Sequence, residues 1–225
     1  GSYFCTDYDR TNYIVKRYFS ARECNIREKQ ECVKAIQTLG RLHKAMMGIV
    51  VGEPVKIDSL PLEYEIEKRN AELGRVRKYL KSKGQKTEFE RFLQMHYDYF
   101  YEKAIQTAEQ LAAEDTASWC KEIEDMQSYC HGDYQYHNIL MDDTGCQIIN
   151  FEKMTQDNPV KDLYLFTRKL LEKNNWDLVL GRELLHTYNE VRTLRDEDLL
   201  QLKYRFLYPE KFWKIVNFYY NSGKA

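Results

Sequence analysis

The sequence predicts an α+β fold, a mainly helical body with one β-hairpin at its N-terminal end and a second embedded late in the chain. Three observations predict it. Apolar residues recur at helical spacing over most of the length. The first fifteen residues instead read as two short runs of strand formers around a polar turn. Two short apolar runs, Asn138 to Met141 and Gln147 to Ile149, flank the turn sequence Asp142-Asp143-Thr144-Gly145.

Taken in order, Tyr3-Phe4-Cys5 and Tyr13-Ile14-Val15 form the first hairpin, with Asp7 to Asn12 as its turn. Phe19 to Glu23 leads out of that sheet. A helix is expected over Arg27 to Met47, because Cys32, Ala35, Ile36, Leu39, Leu42 and Met46 fall on one face. Gly52, Pro54 and Pro61 mark Val50 to Pro61 as a connector. Leu62, Ile66, Leu73, Val76 and Leu80 then form one helical stripe, closed by Gly84. Phe89, Phe92, Leu93, His96, Tyr99, Phe100, Ala104, Ala108 and Leu111 form another, with His96 expected as a packed core residue. The short loop between the two makes them an antiparallel pair. Further helices are expected over Thr116 to Met126, Val160 to Lys173, Leu178 to Val191, Asp196 to Leu207 and Pro209 to Tyr220. Residues 1–25 thus read as a small β piece and 26–225 as the helical body.

Composition narrows the function classes. Thirty-four basic and 35 acidic residues give a formal net charge of −1, which carries no electrostatic footprint for nucleic acid. Six cysteines are scattered without CxxC spacing, so reduced thiols are expected in place of disulfides or a metal cluster. No apolar run reaches the roughly 18–20 residues of a membrane span, and no signal peptide is expected. The expectation is a chain made in the cytosol. Gly1-Ser2 reads as a cloning scar, so natural sequence ahead of it is expected to be missing.

The chemistry concentrates in Cys130-His131-Gly132-Asp133-Tyr134-Gln135-Tyr136-His137-Asn138-Ile139-Leu140-Met141. A carboxylate, Asp133, precedes by five residues an amide, Asn138, that opens a strand. A loop of that length brings both groups to one phosphate site, where the carboxylate can take a hydroxyl proton and the amide oxygen can ligate Mg²⁺. The strand that returns runs into Ile149-Asn150-Phe151-Glu152, and its end lies beside the start of the first.

These residues resemble a known family. His131-Gly132-Asp133 with Asn138 resembles the HGDxxxxN loop of aminoglycoside phosphotransferases and choline kinases. Asn150-Phe151-Glu152 resembles their I-D-F-E segment with Asn for Asp, and Val160-Lys161-Asp162-Leu163 their next helix opening. Leu39-Gly40-Arg41-Leu42-His43 resembles the helix just after their interlobe hinge. Within the superfamily, Arg22-Glu23-Cys24 and Arg168 to Trp176 resemble the spore-coat CotS-type branch.

The resemblance implies a protein-kinase-like fold, with residues 1–25 a remnant of the N-lobe sheet and hinge and 26–225 the helical C-lobe. It implies Asp133 as catalytic base, His131 beside it as a loop brace or proton carrier, and Asn138 and position 150 as metal ligands. Asp162 would brace the catalytic loop or cap its helix. Lys16, Tyr18 and Phe19 would meet the adenine. Lys16 is open to a second assignment, as a phosphate-binding lysine paired with Glu28 or Glu31. Tyr134, Tyr136 and Trp176 are candidates for an acceptor groove.

Two departures qualify the resemblance. Asn150 lacks the charge of a metal-binding carboxylate, and no Gly-rich phosphate loop precedes the hairpin. An impaired, structural or binding protein of the spore coat, with other coat proteins as partners and no cofactor, is therefore weighed against an active enzyme. The active form would use ATP and Mg²⁺ to phosphorylate a small-molecule hydroxyl. Neither form implies nucleic acid or a membrane span.

Overall fold

The computed structural model describes residues 5–8, 11–14, 18, 20–49, 61–116, 119, 127–143 and 145–221. At the N-terminal end, β1 (Cys5–Tyr8) and β2 (Thr11–Ile14) pair antiparallel, Cys5 opposite Ile14 and Tyr8 opposite Thr11. The expected turn over Asp7 to Asn12 is therefore shorter, because Asp7, Tyr8, Thr11 and Asn12 join the ladder. A short strand β3 (Arg22–Glu23) follows and leads into α1 (Lys29–Ala45). Next come α2 (Leu62–Ser82) and α3 (Glu88–Ala112). The expected connector after Val50 and the expected helix from Thr116 lie largely outside the described residues.

The second half opens with β4 (Tyr129–Cys130) and a 3-10 turn at Tyr136–Asn138. The embedded hairpin is β5 (Ile139–Asp142) with β6 (Gly145–Ile148), and β7 (Thr155–Gln156) follows it. Four helices complete the chain: α4 (Val160–Lys173), α5 (Leu178–Val191), α6 (Asp196–Leu207) and α7 (Glu210–Asn221). β3 adds antiparallel to β5, Arg22 opposite Met141, making a three-stranded sheet in the order β3-β5-β6. β4 pairs with β7, Cys130 opposite Thr155.

Two apolar cores hold these elements. The first joins α1, the β5 face, α4 and α5 through Ile36, Leu39, Ile139, Leu163, Phe166, Leu184 and Tyr188. Burying side chains of this size contributes roughly 1.5–3 kcal/mol each. The second core joins α2, α3, α6 and α7 through Ile66, Leu73, Leu93, Tyr97, Leu111, Tyr204 and Phe212. The α2–α3 pair is antiparallel as expected. Asn70 donates to Ala104 O at 3.1 Å, Tyr97 donates to Leu73 O at 2.8 Å, and Lys83 pairs with Glu90 at 2.8 Å. Thr87 caps α3 and exchanges hydrogen bonds with Glu90 in a capping box.

His96 is a correction. It stands on the exposed face of α3 with Phe92 and Tyr99, its ring 4.8 Å from that of Phe92. The buried stripe runs one position over, through Leu93, Tyr97 and Ala104. A one-residue offset turns a side chain by about 100° around a helix, so both rows share helical spacing and periodicity alone does not choose between them. The described cysteines Cys24, Cys32, Cys130 and Cys146 are free thiols. Among the described residues no helix is long and apolar enough to cross a membrane.

Candidate active site

The open end of the β5–β6 hairpin positions the site. Beyond the last ladder pair, Ile139 with Ile148, the Ile149 amide still donates to Asn138 O at 3.1 Å. Residues 131–138 and 149–153 are thereby held side by side. The 3-10 turn folds the Asn138 carboxamide back, so that its Nδ2 donates to Asp133 O at 2.8 Å. Asn138 is thus buried and fixes the loop that carries Asp133.

His131 is wholly buried. Its Nε2–H donates to Ile149 O at 2.9 Å and its Nδ1 accepts the Asp133 amide at 3.2 Å. Both ring nitrogens are committed to backbone, one as donor and one as acceptor, and the ring ties the 131–138 loop to the returning strand. Gly132 has φ +79°, and a Cβ built there would lie 2.0 Å from Lys153 O. Only glycine combines that dihedral with so close an approach of the two segments.

Asp162, in the first turn of α4, braces the loop from below. It accepts the His131 amide at 2.6 Å and the Gly132 amide at 3.0 Å. Pro159 holds the N-cap position of α4, so bracing is the role the geometry gives Asp162. His43 on α1 approaches the same carboxylate, Nε2 to Oδ2 at 3.2 Å, and its Nδ1 meets the Tyr188 hydroxyl at 2.7 Å. The carboxylate only accepts, so His43 donates through Nε2 and accepts from Tyr188. Burial holds the His43 imidazole below its usual pKa, against the opposing pull of Asp162, which suits this neutral form.

Asp133 faces outward from the braced loop. Lys153 Nζ donates to its Oδ2 at 2.9 Å and Gln135 Nε2 to its Oδ1 at 3.0 Å. Partial burial works against ionisation, but the Lys153 ion pair, the Gln135 bond and nearby His137 outweigh it. The carboxyl is held below the usual aspartate range. Asn150 sits in the left-handed region at φ +65°, which Asn tolerates better than most residues, and its Nδ2 donates to Asn138 Oδ1 at 2.9 Å.

The structure therefore brings together His131, Asp133, Asn138 and Asn150 from the sequence-predicted set. Tyr18 is exposed, while Lys16 and Phe19 lie outside the described residues. Glu31, one proposed partner for Lys16, is engaged by Arg22 at 2.5 Å and by the Asn25 amide at 2.8 Å. Tyr134 does not line a groove, since it is wholly buried with its hydroxyl donating to Ala35 O at 2.7 Å. Tyr136 packs against the first core, and Trp176 is about half exposed.

Lys153 and Gln135 escaped the sequence reading. The signal for Lys153 was the hairpin itself. A tight antiparallel turn makes neighbours of the residues at its two open ends, and Lys153 follows the returning strand as Asp133 precedes the outgoing one.

The model of the phosphotransferase enzyme family (APH) matches residues 25–200, which span the loop, the hairpin and the bracing helices. The chain belongs to the phosphotransferase enzyme family. Its fold is that of the kinase-like proteins, as a likeness to a solved aminoglycoside phosphotransferase from Alicyclobacillus acidocaldarius shows. The TM-score is 0.83 at 18% identity over 96% of this chain. The chain spans 64% of the length of that protein. No curated protein matches it.

Phosphotransferases of this fold imply a divalent cation, and the donor set here suits one poorly. Mg²⁺ is a hard cation that favours carboxylate oxygens. Asn138 and Asn150 present neutral amides bonded to each other, and the carboxylate of Asp133 is paired with an ammonium group. Among the described residues no group of three or more His, Cys, Asp or Glu could hold a metal ion.

Proposed function

We propose that this chain is an impaired kinase-like protein of the spore-coat CotS type, acting as a structural or binding protein with other coat components as partners. In this assignment residues 1–25 are the remnant of an N-lobe sheet and hinge, and 26–225 are the helical C-lobe. What supports it is Asn150, an uncharged amide bonded to Asn138, at the position that the family resemblance gives to a charged metal ligand. Losing about 4 kcal/mol of transition-state stabilisation there slows the reaction about a thousandfold.

The test is ATP turnover in Mg²⁺ by the chain and by its Asn150→Asp variant. Negligible turnover by the native chain is expected. Robust Mg²⁺-dependent turnover that disappears in Asp133→Ala overturns the proposal.

One observation favours the second assignment, an active phosphotransferase for a small-molecule hydroxyl. The catalytic loop is fully braced by Asp162 and His131, and the Asp133 carboxyl stays ionised, ready to accept a hydroxyl proton. Turnover on any of a panel of sugars, aminoglycosides and amino alcohols supports it; silence across the whole panel removes it.

A further inference from the structure

Lys153 is placed by the backbone as firmly as the groups around it. Its carbonyl packs so closely on Gly132 that a Cβ there would lie 2.0 Å away, so the lysine travels with the catalytic loop. Its side chain is 68% exposed, yet Nζ reaches Asp133 Oδ2 at 2.9 Å. The ammonium thus stands on the Asp133 carboxylate, while Asn138 and Asn150 pair with each other. An ammonium group has three N–H donors. One is used by Asp133, and the others have no partner among the described residues. A divalent cation at Asn138 and Asn150 meets two uncharged amides, while the nearby Asp133 carboxylate is already paired with this ammonium. For an anion the ammonium is the suitable group here, because lysine is an effective point-charge partner for phosphate.

Resting on the assignment of these residues as an impaired phosphotransfer site, we propose that the site binds the phosphate chain of a di- or triphosphate ligand without a divalent cation, Lys153 supplying the positive charge. The lysine substitutes for the metal in binding only. No transfer step follows from it.

The test is calorimetry of the full chain with inorganic triphosphate and with ATP, each in EDTA and in Mg²⁺, for the native protein, Lys153→Gln and Lys153→Arg. The expected result is binding in EDTA at least as tight as in Mg²⁺, weakened about tenfold in Lys153→Gln and largely kept in Lys153→Arg, a charge-assisted contact being about this strong. Binding that requires Mg²⁺, binding indifferent to Lys153→Gln, or no binding of either probe overturns the proposal. A second readout is Mn²⁺ titration followed by electron paramagnetic resonance. The native chain should leave Mn²⁺ free, and Asn150→Asp/Lys153→Gln should take it up. Mn²⁺ uptake by the native chain that Asp133→Ala abolishes also overturns it. Failure of the impaired-catalyst assignment is read separately, as Mg²⁺-dependent turnover.

Discussion

Asp162 Oδ2 lies 3.2 Å from His43 Nε2, with neither side chain reaching solvent. The same carboxylate accepts the amides of His131 and Gly132, so one buried group joins α1, α4 and the 131–138 loop. In Asp162→Asn, one arm of the side chain becomes a donor and must face a donor. The loss of the charge also strips the loop amides of a strong acceptor. Stability should fall by about 3 kcal/mol, the range for breaking a buried charged partner. Urea unfolding should show a lower midpoint at an unchanged slope. A native-like midpoint means that the carboxylate is not the brace.

Legibility in the sequence followed how local each determinant was. Helices α4, α5 and α6 begin and end where periodicity and end signals placed them, at Val160–Lys173, Leu178–Val191 and Asp196–Leu207. The β5–β6 hairpin was legible because turn residues and flanking runs are local. His96 was misplaced because Phe92, His96 and Tyr99 repeat at the same interval as the row that is buried, and only the partner helices decide which row faces in. Within the site, the relation of Asp133 to Asn138 is a matter of loop length and could be read. The ion pair of Asp133 with Lys153, and the approach of His43 to Asp162 over more than a hundred residues, are tertiary facts with no local signature.

Gly132 should be intolerant of any side chain. At φ +79° an L-residue costs about 1–2 kcal/mol, and the Cβ of alanine also collides with Lys153 O, a backbone atom held by the returning strand. Gly132→Ala should cost at least about 2 kcal/mol and should separate Lys153 from Asp133. Chemical denaturation measures the first effect. The carboxyl carbon chemical shift of Asp133, followed against pH, measures the second as a rise in its midpoint. Stability equal to the native chain, with the Asp133 midpoint unmoved, means that the two segments part without cost.

Gly40 lets α1 approach α5. A Cβ there would lie 2.9 Å from both Cβ and Cγ1 of Val191, and Val191 Cβ cannot swing away because it is fixed to the backbone. Gly40→Ala gains up to about 1 kcal/mol in helix propensity, and the overpacked contact costs about 1–3 kcal/mol. The net expectation is destabilisation by about 1–2 kcal/mol, read from the denaturation midpoint. His43 lies one turn further along α1, so the shift should also loosen the Asp162 brace and speed amide exchange at His131 and Gly132. A stabilised Gly40→Ala chain means that α1 slides freely on α5.

Glu210 at the start of α7 gives a pH dependence of definite sign. Burial opposes its ionisation, but Lys214 at 2.6 Å, the Tyr164 hydroxyl at 2.5 Å and Arg168 at 2.9 Å outweigh this and hold its pKa at about 2. The folded value lies below the unfolded one, about 4.3 for an ordinary glutamate. The stabilisation is therefore full above about pH 4.3 and is lost as the pH falls towards about 2. Its size is about 3 kcal/mol at neutral pH, from about 1.4 kcal/mol for each unit separating the two values. Other buried carboxylates titrate in the same range, so the native curve alone does not isolate this one. The difference between native protein and Glu210→Gln does, because the remaining groups are common to both. Urea midpoints between pH 7 and 2 should show Glu210→Gln weaker by about 3 kcal/mol at neutral pH and nearly equal to native at pH 2. A difference that stays constant across the range would mean that the variant loses packing at α7, and that the ion pairs to Lys214 and Arg168 contribute little.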